Sequence, residues 1–295
     1  MELRWSYILW LSLGLSSCNW FNPYDVPIND EDFRCVTYFL PIESDSSVCF
    51  MSRAVDFNLP NIVEPYDVCA HVKSVGGDVV SCGLVETDTT RIWLGTGGIV
   101  GAEPGDSLLL EVESTTFELI SAATVVPEKA SIISYSMTSR SFLDGENYFD
   151  ELLVELADPT SREEAFMFQL ISHIDTIGAP AAFLMNMKSD DTNMIRRKLG
   201  GSALDNTLFF DDSFWEGGNY TFSFRTRNRV GEGIPYHYTL LVHSISIDMF
   251  KYFRDLENSS FSGQFDGTGN VIHTNINGAQ GCFGALQTTY ILLFP

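Results

Sequence analysis

The sequence predicts an all-β, mainly antiparallel protein that carries one packed helix. Short runs of strand-forming residues recur roughly every ten residues from Cys35 to Pro127, and glycine or proline separates them. Similar runs continue from Ile132 to Phe294. One segment, residues 247 to 258, has the spacing of an amphipathic helix instead.

The strand-like runs fall into two groups. The runs of the first group are 36–40, 48–51, 68–72, 79–84, 91–94, 108–112 and 117–122. The runs of the second group are 132–137, 152–156, 165–172, 208–210, 220–226, 236–245 and 290–294. Turns such as Pro104-Gly105 between short strands are typical of an antiparallel sandwich like the immunoglobulin or transthyretin folds. We therefore expect an N-terminal β-sandwich domain over 33–127 and a larger C-terminal β domain over 128–295.

The helix has its own sequence signals. Ser246 is a favoured residue for the N-cap, and Asp248 lies near the positive end of the helix dipole. Met249, Phe253 and Leu256 share one face at helical spacing, so this face should pack on a sheet. Residues 188–206 are polar and lack strand alternation, and we expect a long loop there with at most a helical turn around 192–199.

The first 17 residues read as a lipoprotein signal peptide. Arg4 precedes a short apolar stretch, and the stretch ends in Leu15-Ser16-Ser17-Cys18. About a dozen apolar residues are too few to cross the ~30 Å hydrocarbon core of a bilayer. We expect cleavage before Cys18, lipidation of its thiol, and a tether over 18–32 that leads into the folded part. The alternative is an ordinary N-terminal strand with a chance cysteine.

The charge of the chain limits its partners. The formal net charge is −22, and the carboxylates are spread along the whole sequence. Cleavage of the signal peptide leaves this charge unchanged, because Glu2 and Arg4 leave together. A surface this acidic is repelled by phosphate backbones, so we expect no nucleic-acid partner.

Five cysteines remain after Cys18 is assigned to lipid, and their pairing stays open. They are Cys35, Cys49, Cys69, Cys82 and Cys282. A two-residue turn at Gly76-Gly77 would set Cys82 opposite His71, so a disulfide to Cys69 requires the turn to shift by one residue. The cysteine spacings match no zinc pattern, and we expect no metal and no cofactor.

Several segments together resemble the Bacteroidota envelope lipoproteins of domain-of-unknown-function family 4249. The matching segments are 104–112, 120–127, 157–159, 208–214, 244–246 with Tyr252, and 275–284. The last segment is the most specific, because Asn277-Gly278 suits a turn with positive φ, and Gly281 and Gly284 permit close packing. The resemblance implies an outer-membrane lipoprotein with an immunoglobulin-like N-terminal domain that works beside transport machinery, such as a TonB-dependent transporter. It supplies no catalytic residues.

Two groups of residues are candidates for a functional site. Gly105-Asp106-Ser107-Leu108 matches the opening block of a lipase and esterase family, but no histidine follows an aspartate by three residues as that reaction requires. The aromatic residues near Gly217-Gly218 could form a platform for a sugar ring or a partner protein, with core packing as the alternative. These aromatic residues are Phe209, Phe210, Phe214 and Trp215.

The remaining polar residues show no metal-binding pattern. The five histidines are dispersed, and the paired aspartates 190–191 and 211–212 lack the alternating spacing of a calcium loop. The leading hypothesis is therefore a non-enzymatic binding or accessory lipoprotein at the outer membrane. The alternative is a structural or adhesive envelope protein, and a hydrolase is less favoured because no site for one is visible.

Overall fold

The computed structural model describes most of the chain after residue 33. The described residues are 34–41, 46–53, 68–74, 79–86, 91–96, 102–114, 118–144, 147–158, 163–174, 181–191, 195–196, 207–213, 215, 218–228, 235–262 and 272–294. They fold into two compact units. Unit 1 combines the residues up to Glu128 with Ser246–Gln287, and unit 2 combines Lys129–Ile245 with the residues from Thr288 onward.

The described elements are eighteen strands and one helix. In chain order they are β1 (Arg34–Pro41), β2 (Ser46–Arg53), β3 (Val68–Ser74), β4 (Val79–Glu86), β5 (Arg91–Thr96), β6 (Ser107–Ser114), β7 (Ile120–Val125), β8 (Ser131–Asp144), β9 (Asn147–Asp158), β10 (Ala165–Ile174), β11 (Ala181–Met185), β12 (Met187–Lys188), β13 (Ile195–Arg196), β14 (Leu208–Asp211), β15 (Gly218–Arg227), β16 (Tyr236–Ile245), α1 (Ile247–Ser262), β17 (Ile276–Asn277) and β18 (Gln280–Leu293). The predicted all-β, mainly antiparallel class with one packed helix is confirmed.

In unit 1 the strands follow one path of hydrogen-bonded neighbours. The order is β18, β1, β2, β5, β4, β3, β6, β7, β17, and β1 pairs with β18 in parallel while the other pairs are antiparallel. Alternation along β6 places Leu108, Leu110 and Val112 in the core and leaves Leu109 exposed.

The helix packs on β18 at a glycine. The sequence predicts its start correctly, although α1 runs to Ser262 rather than to about residue 258. The side chains of Met249 and Phe253 are buried as expected, together with Phe250 and Tyr252. A Cβ atom on Gly284 would lie 2.8 Å from Met249 Cβ, which is closer than packed carbons approach. Only glycine therefore allows the helix to come this near to the strand.

The domain boundaries predicted from the sequence need a correction. The boundary near residue 127 agrees with the end of the first segment of unit 1, but α1 and the first part of β18 also belong to unit 1. The sequence alone predicts that both lie in a C-terminal domain over 128–295. Register explains the difference, because Cys35 to Pro41 pair with Gln280 to Leu286 and so join the two ends of the chain.

Unit 2 is a β-sandwich. One sheet has the order β13, β14, β10, β16 and the last part of β18, with β11 also paired to β10, and the other has the order β12, β15, β9, β8. Alternate residues of both sheets fill one core, where Phe168 packs against Phe222 and Phe224 at ring-centroid distances of 5.4 and 4.8 Å. This alternation leaves an outer face on each sheet.

Residues 188–206 also depart from expectation where the structure describes them. The sequence predicts at most a helical turn around 192–199, but Ile195 and Arg196 form the short strand β13, which pairs with β14. Two residues carry too little alternation to be recognised as a strand from sequence.

Candidate functional site

Most of the residues singled out from the sequence do not assemble into one site. Leu15, Ser16, Ser17 and Cys18 lie outside the described residues, so the predicted lipidation site is not part of the described structure. Ser107 begins β6 directly after a turn in which the Asp106 N–H donates to the carbonyl of Glu103 at 3.0 Å. The lipase-like segment Gly105-Asp106-Ser107-Leu108 is therefore a turn followed by the start of a strand.

The predicted aromatic platform is wrong for the residues that the structure describes. Phe209, Phe210 and Trp215 are only 1%, 0% and 6% exposed, and Phe214 lies outside the described residues. Phe210 stacks on Phe168 with ring centroids 5.2 Å apart. These rings supply apolar area to the core of unit 2, so they cannot present a surface to a sugar or a partner.

The cysteines likewise supply no reactive site among the described side chains. The Cys282 thiol is free and fully buried, and burial raises its pKa well above the usual value, with the nearby Asp248 carboxylate adding to the effect. A buried thiol of this kind is a poor nucleophile. In the hairpin of β3 and β4, Cys82 lies opposite Ala70, one residue from the register that would set it opposite Cys69.

Two histidines that the sequence leaves dispersed come together in unit 2. His173 on β10 lies directly opposite His237 on β16, and their rings stack with centroids 4.7 Å apart. The Phe294 ring lies 5.6 Å from the other side of His237. His173 Nε2 is also 3.0 Å from Thr239 Oγ1. These contacts mark the outer face of the sheet that contains β10 and β16.

We call this outer face the uncharged face. Its positions alternate with the core residues of β10, β16 and the end of β18, and none of the twelve is Asp, Glu, Lys or Arg. The positions are Met167, Gln169, Ile171, His173, His237, Thr239, Leu241, His243, Thr288, Tyr290, Leu292 and Phe294. The chain as a whole contains 39 acidic and 17 basic residues. On the neighbouring strand β14, Asp211 lies opposite Ala165 beside these twelve positions, so the name refers to the positions of β10, β16 and β18 alone.

The outer face of the opposite sheet provides the contrast. Glu151 and Glu155 on β9 and Arg225 on β15 point to that side, alternating with core residues of the same strands. Arg225 forms ion pairs with Asp190 at 3.0 Å and with Glu151 at 3.8 Å. This is the ordinary pattern of a solvated sheet face.

One end of the uncharged face is open to solvent. Tyr290, Leu292 and Phe294 are 62%, 53% and 67% exposed, while Ile291 and Leu293 between them are buried in the core. Three large apolar side chains therefore lie in a row along the end of β18 and the residue that follows it. Rows of this kind typically mark an interaction surface.

The other end of the uncharged face is buried and holds a hydrogen-bonded histidine. His243 Nδ1 is 2.8 Å from Thr288 Oγ1, and its Nε2 is 3.3 Å from Gln169 Oε1. The Gln169 amide donates in turn to Thr207 Oγ1 at 3.1 Å. Burial lowers the pKa of His243 to about 4. The imidazole is therefore neutral at pH 7, with both ring nitrogens satisfied.

A second polar cluster, which sequence reasoning missed, surrounds Asp150 in unit 2. The Asp150 carboxylate is fully buried. It accepts hydrogen bonds from the hydroxyls of Tyr238 and Tyr236 at 2.8 and 3.1 Å, and from the backbone N–H of Arg140 at 2.8 Å. The Asn228 side-chain amide lies 3.0 and 3.1 Å from its two oxygens. These donors stabilise a buried negative charge.

The hydrogen bonds to Asp150 stabilise the fold and do not form an acid–base site. Burial and the neighbouring Asp150 charge raise the pKa of Tyr238, and burial is the main cause that raises that of Tyr236. Both phenols therefore stay protonated and act as donors. Arg140 has φ of 51° and sits where the register of β8 shifts, so its bond to Asp150 holds a strained backbone bulge in place.

The described residues contain no group of three or more histidine, cysteine or acidic side chains placed to hold a metal ion. Asp190 pairs with Arg225, and Asp212 accepts the backbone N–H of Glu164 at 2.9 Å, so these aspartates have protein partners. Within the same described residues, no helix is both long and apolar enough to cross a bilayer.

No protein-family model matches the sequence, and no curated protein is detectably similar to it. Among solved structures, the chain is similar to a DUF4785 family protein from Legionella pneumophila, at 16% identity and a TM-score of 0.25, over 73% of this chain and 53% of that chain. It is also similar to a pullulanase from Anoxybacillus sp. LM18-11 complexed with maltotriose, at 10% identity and a TM-score of 0.20, over 70% of this chain and 24% of that chain. The chain thus spans about half the length of the first protein and about a quarter of the second. At such TM-scores neither likeness supports a conclusion about fold or function.

Proposed function

We propose that this protein is a lipid-anchored outer-membrane lipoprotein that works as a non-enzymatic binding or accessory module. Its partner is an envelope protein such as a TonB-dependent transporter, which covers the open end of the uncharged face. The observation that carries the proposal is the row of Tyr290, Leu292 and Phe294 beside the uncharged positions of β10 and β16. The lipidation sequence before Cys18 supports the anchor, and the resemblance to family 4249 supports the choice of partner.

The energetics of the exposed row favour an apolar protein partner. Burial of apolar surface contributes about 25 cal/mol per Å², and each of these three side chains exposes more than half of its area. No charge has to be desolvated at the twelve positions of the uncharged face when a partner covers them, which removes the main cost of closing an interface. The absence of Lys and Arg from the face disfavours anionic lipid headgroups as the ligand.

The polar groups of the described residues support a binding role rather than catalysis. Burial keeps His243 neutral inside a satisfied hydrogen-bond chain, and Ser107 starts a strand after a tight turn. The Asp150 cluster holds its two tyrosines as donors. An enzyme instead needs a nucleophile and a base that converge in one cleft.

The partner can be tested by crosslinking in native membranes with a matched pair of variants. Leu292→Lys places a charge in the proposed interface, and Leu153→Lys places the same charge on the opposite sheet, where Leu153 is 38% exposed. We expect the wild type and Leu153→Lys to capture the same barrel-type transporter, and Leu292→Lys to lose at least about 90% of the product, because a buried unpaired charge costs several kcal/mol. Equal capture by both variants would contradict the proposed face. Repeated recovery of the bait alone would count against the accessory role.

The anchor is tested separately by replacing Cys18 with Ala. Without the thiol there is no lipid attachment, so this variant should leave the membrane fraction on washing, whereas the wild type should require detergent. Cys282→Ala is the matched control, because its thiol is buried in the fold. Tight membrane association of the Cys18→Ala chain would refute the tether.

A further inference from the structure

The strand β8 is the edge of its sheet in unit 2. Among the described strands its one neighbour is β9, and the sheet order ends at β8. Every residue from Ser131 to Ser139 is at least partly exposed. The outward N–H and C=O groups of an edge strand form a template on which another strand can pair.

The middle of this edge lacks the usual protection against pairing, although the register of β8 shifts on both sides of it. Proteins normally guard edge strands with charged residues, proline or a bulge. Residues 131–139 read SIISYSMTS and contain no charged residue, proline or glycine. Shifts in register bound the regular stretch at Ile132/Ser134 and at Thr138/Phe142. The unprotected and regular part is therefore Ser134 to Thr138.

We propose that a second copy of this chain pairs antiparallel with β8 over Ser134 to Thr138, about a two-fold axis at Ser136. In this register Ser136 lies opposite the partner's Ser136, Tyr135 lies opposite the partner's Met137, and Ser134 lies opposite the partner's Thr138. The pairing joins two four-stranded sheets into one sheet of eight. A two-fold axis closes the assembly at two copies, because each edge is used once.

The chemistry of the edge is complementary to itself. Met137 packs against the core, and Tyr135 shares its side of the sheet, so the apolar residues meet apolar residues across the axis. Ser134, Ser136 and Thr138 share the other side, where hydroxyl groups meet hydroxyl groups. Matched cross-strand pairs of these kinds stabilise antiparallel sheets.

The large negative charge of the chain does not prevent this contact at physiological salt. Glu151 and Glu155 of β9 lie opposite Thr138 and Ser134, on the side of the sheet that carries the hydroxyl groups. Across the axis Glu155 and the partner's Glu151 are three strand spacings apart, roughly 14 Å. This exceeds the Debye length of about 8 Å at 0.15 M salt. Lower salt should weaken the dimer.

The contact is small, so the dimer should be weak. The five paired residues include Tyr135, which is 53% exposed, and Ile133 beside them is 48% exposed. Together they provide less area than a stable dimer usually buries. We expect dissociation in the micromolar range or above. The protein is then monomeric when dilute and dimeric when concentrated.

The register can be tested by a disulfide in the full chain. Directly opposite residues of an antiparallel pair have Cα atoms about 4.5 to 5.5 Å apart, which is within the range of a disulfide. Ser136→Cys should therefore crosslink to a covalent dimer under mild oxidation, several-fold more than Leu292→Cys, whose exposed position lies on the other sheet, and more than the wild type with its native cysteines. A Ser136→Cys yield no higher than that of these controls would overturn the proposal.

Sedimentation over a concentration series supplies a second measurement. Ser136→Lys sets two like charges opposite each other and should raise the dissociation constant at least about tenfold, whereas Ser136→Thr should preserve it. Both changes are on an exposed edge, and circular dichroism will verify the fold. A monomer at every concentration, or a dimer that Ser136→Lys leaves intact, would overturn the proposed pairing. Loss of the dimer in Leu292→Lys but not in Ser136→Lys would do the same.

Discussion

Burial determines the protonation state of His243. Its ring lies between Thr288 and Gln169, with one hydrogen bond at each nitrogen. The Gln169 carbonyl oxygen can only accept, so His243 Nε2 carries the proton and Nδ1 accepts from the Thr288 hydroxyl. This arrangement suits the neutral imidazole, because a protonated ring would place an unpaired charge in the interior.

The lowered pKa of His243 predicts a loss of stability in acid. The unfolded chain takes up a proton near pH 6.5, but the folded chain resists protonation until about pH 4. The unfolded state therefore binds more protons within this window, and the free energy of unfolding falls as the pH falls through it. Between pH 7.5 and 5 this residue should cost about 2 kcal/mol, as measured by urea unfolding.

His243→Gln isolates this effect from the titration of carboxylates. Glutamine keeps a donor and an acceptor but does not titrate, so the variant should lose about 2 kcal/mol less than the wild type over the same pH range. His273→Gln controls for the replacement of a histidine by glutamine at another position. The His273 side chain is partly exposed, and its ring bonds Asp248 at 2.8 Å. Parallel pH profiles for wild type and His243→Gln would contradict the prediction.

Elements with a strong local signal could be predicted from the sequence. The strand over 236–245 has the predicted boundaries, and α1 starts at the predicted residue. Pro104-Gly105 forms the expected turn, with Gly105 at φ of 91° and the Asp106 N–H bonded to the Glu103 carbonyl. Gly278 likewise adopts the expected positive φ, at 81°. In each case a local constraint decides the conformation.

Elements whose pairing depends on distant residues could not be predicted. The sequence predicts a strand at 290–294, but β18 begins ten residues earlier, because its first part pairs with β1 at the other end of the chain. The same pairing brings α1 into unit 1. Alternation alone does not specify which strand lies beside another.

The candidate sites could not be predicted from the sequence either, because they too depend on which strands are neighbours. Alternating uncharged positions are visible in the sequence of β16 and at the end of β18, but they become one face only when these strands are neighbours. The donors to Asp150 come from positions as far as 88 residues away. From the sequence, the aromatic residues of β14 suggest an exposed binding platform. In the structure the inward-pointing residues of β14 fill the core, and Phe209 is buried as well.

On the scale of the whole molecule, some surfaces carry many charged side chains and others carry none. One outer face of the unit 2 sandwich carries ion pairs such as Arg225 with Asp190, and the other carries no charged side chain at twelve positions. Residues 131–139 at the edge strand β8 are also uncharged. Repulsion keeps acidic surfaces apart, so on a chain of net charge −22 the contacts are expected at these uncharged regions.

The net charge of −22 also predicts that salt stabilises the folded protein. Like charges are closer together in the compact state than in the unfolded chain, so their repulsion lowers the free energy of unfolding at low ionic strength. Raising NaCl from about 10 mM to 0.15 M shortens the Debye length from about 30 to about 8 Å and should raise Tm, by about 2 to 4 °C for each kcal/mol of repulsion relieved. Differential scanning calorimetry at constant pH measures this, and most of the rise should occur below 0.2 M. A Tm that is flat over this range, or that rises only between 0.5 and 1 M, would contradict the prediction, because screening is nearly complete by then.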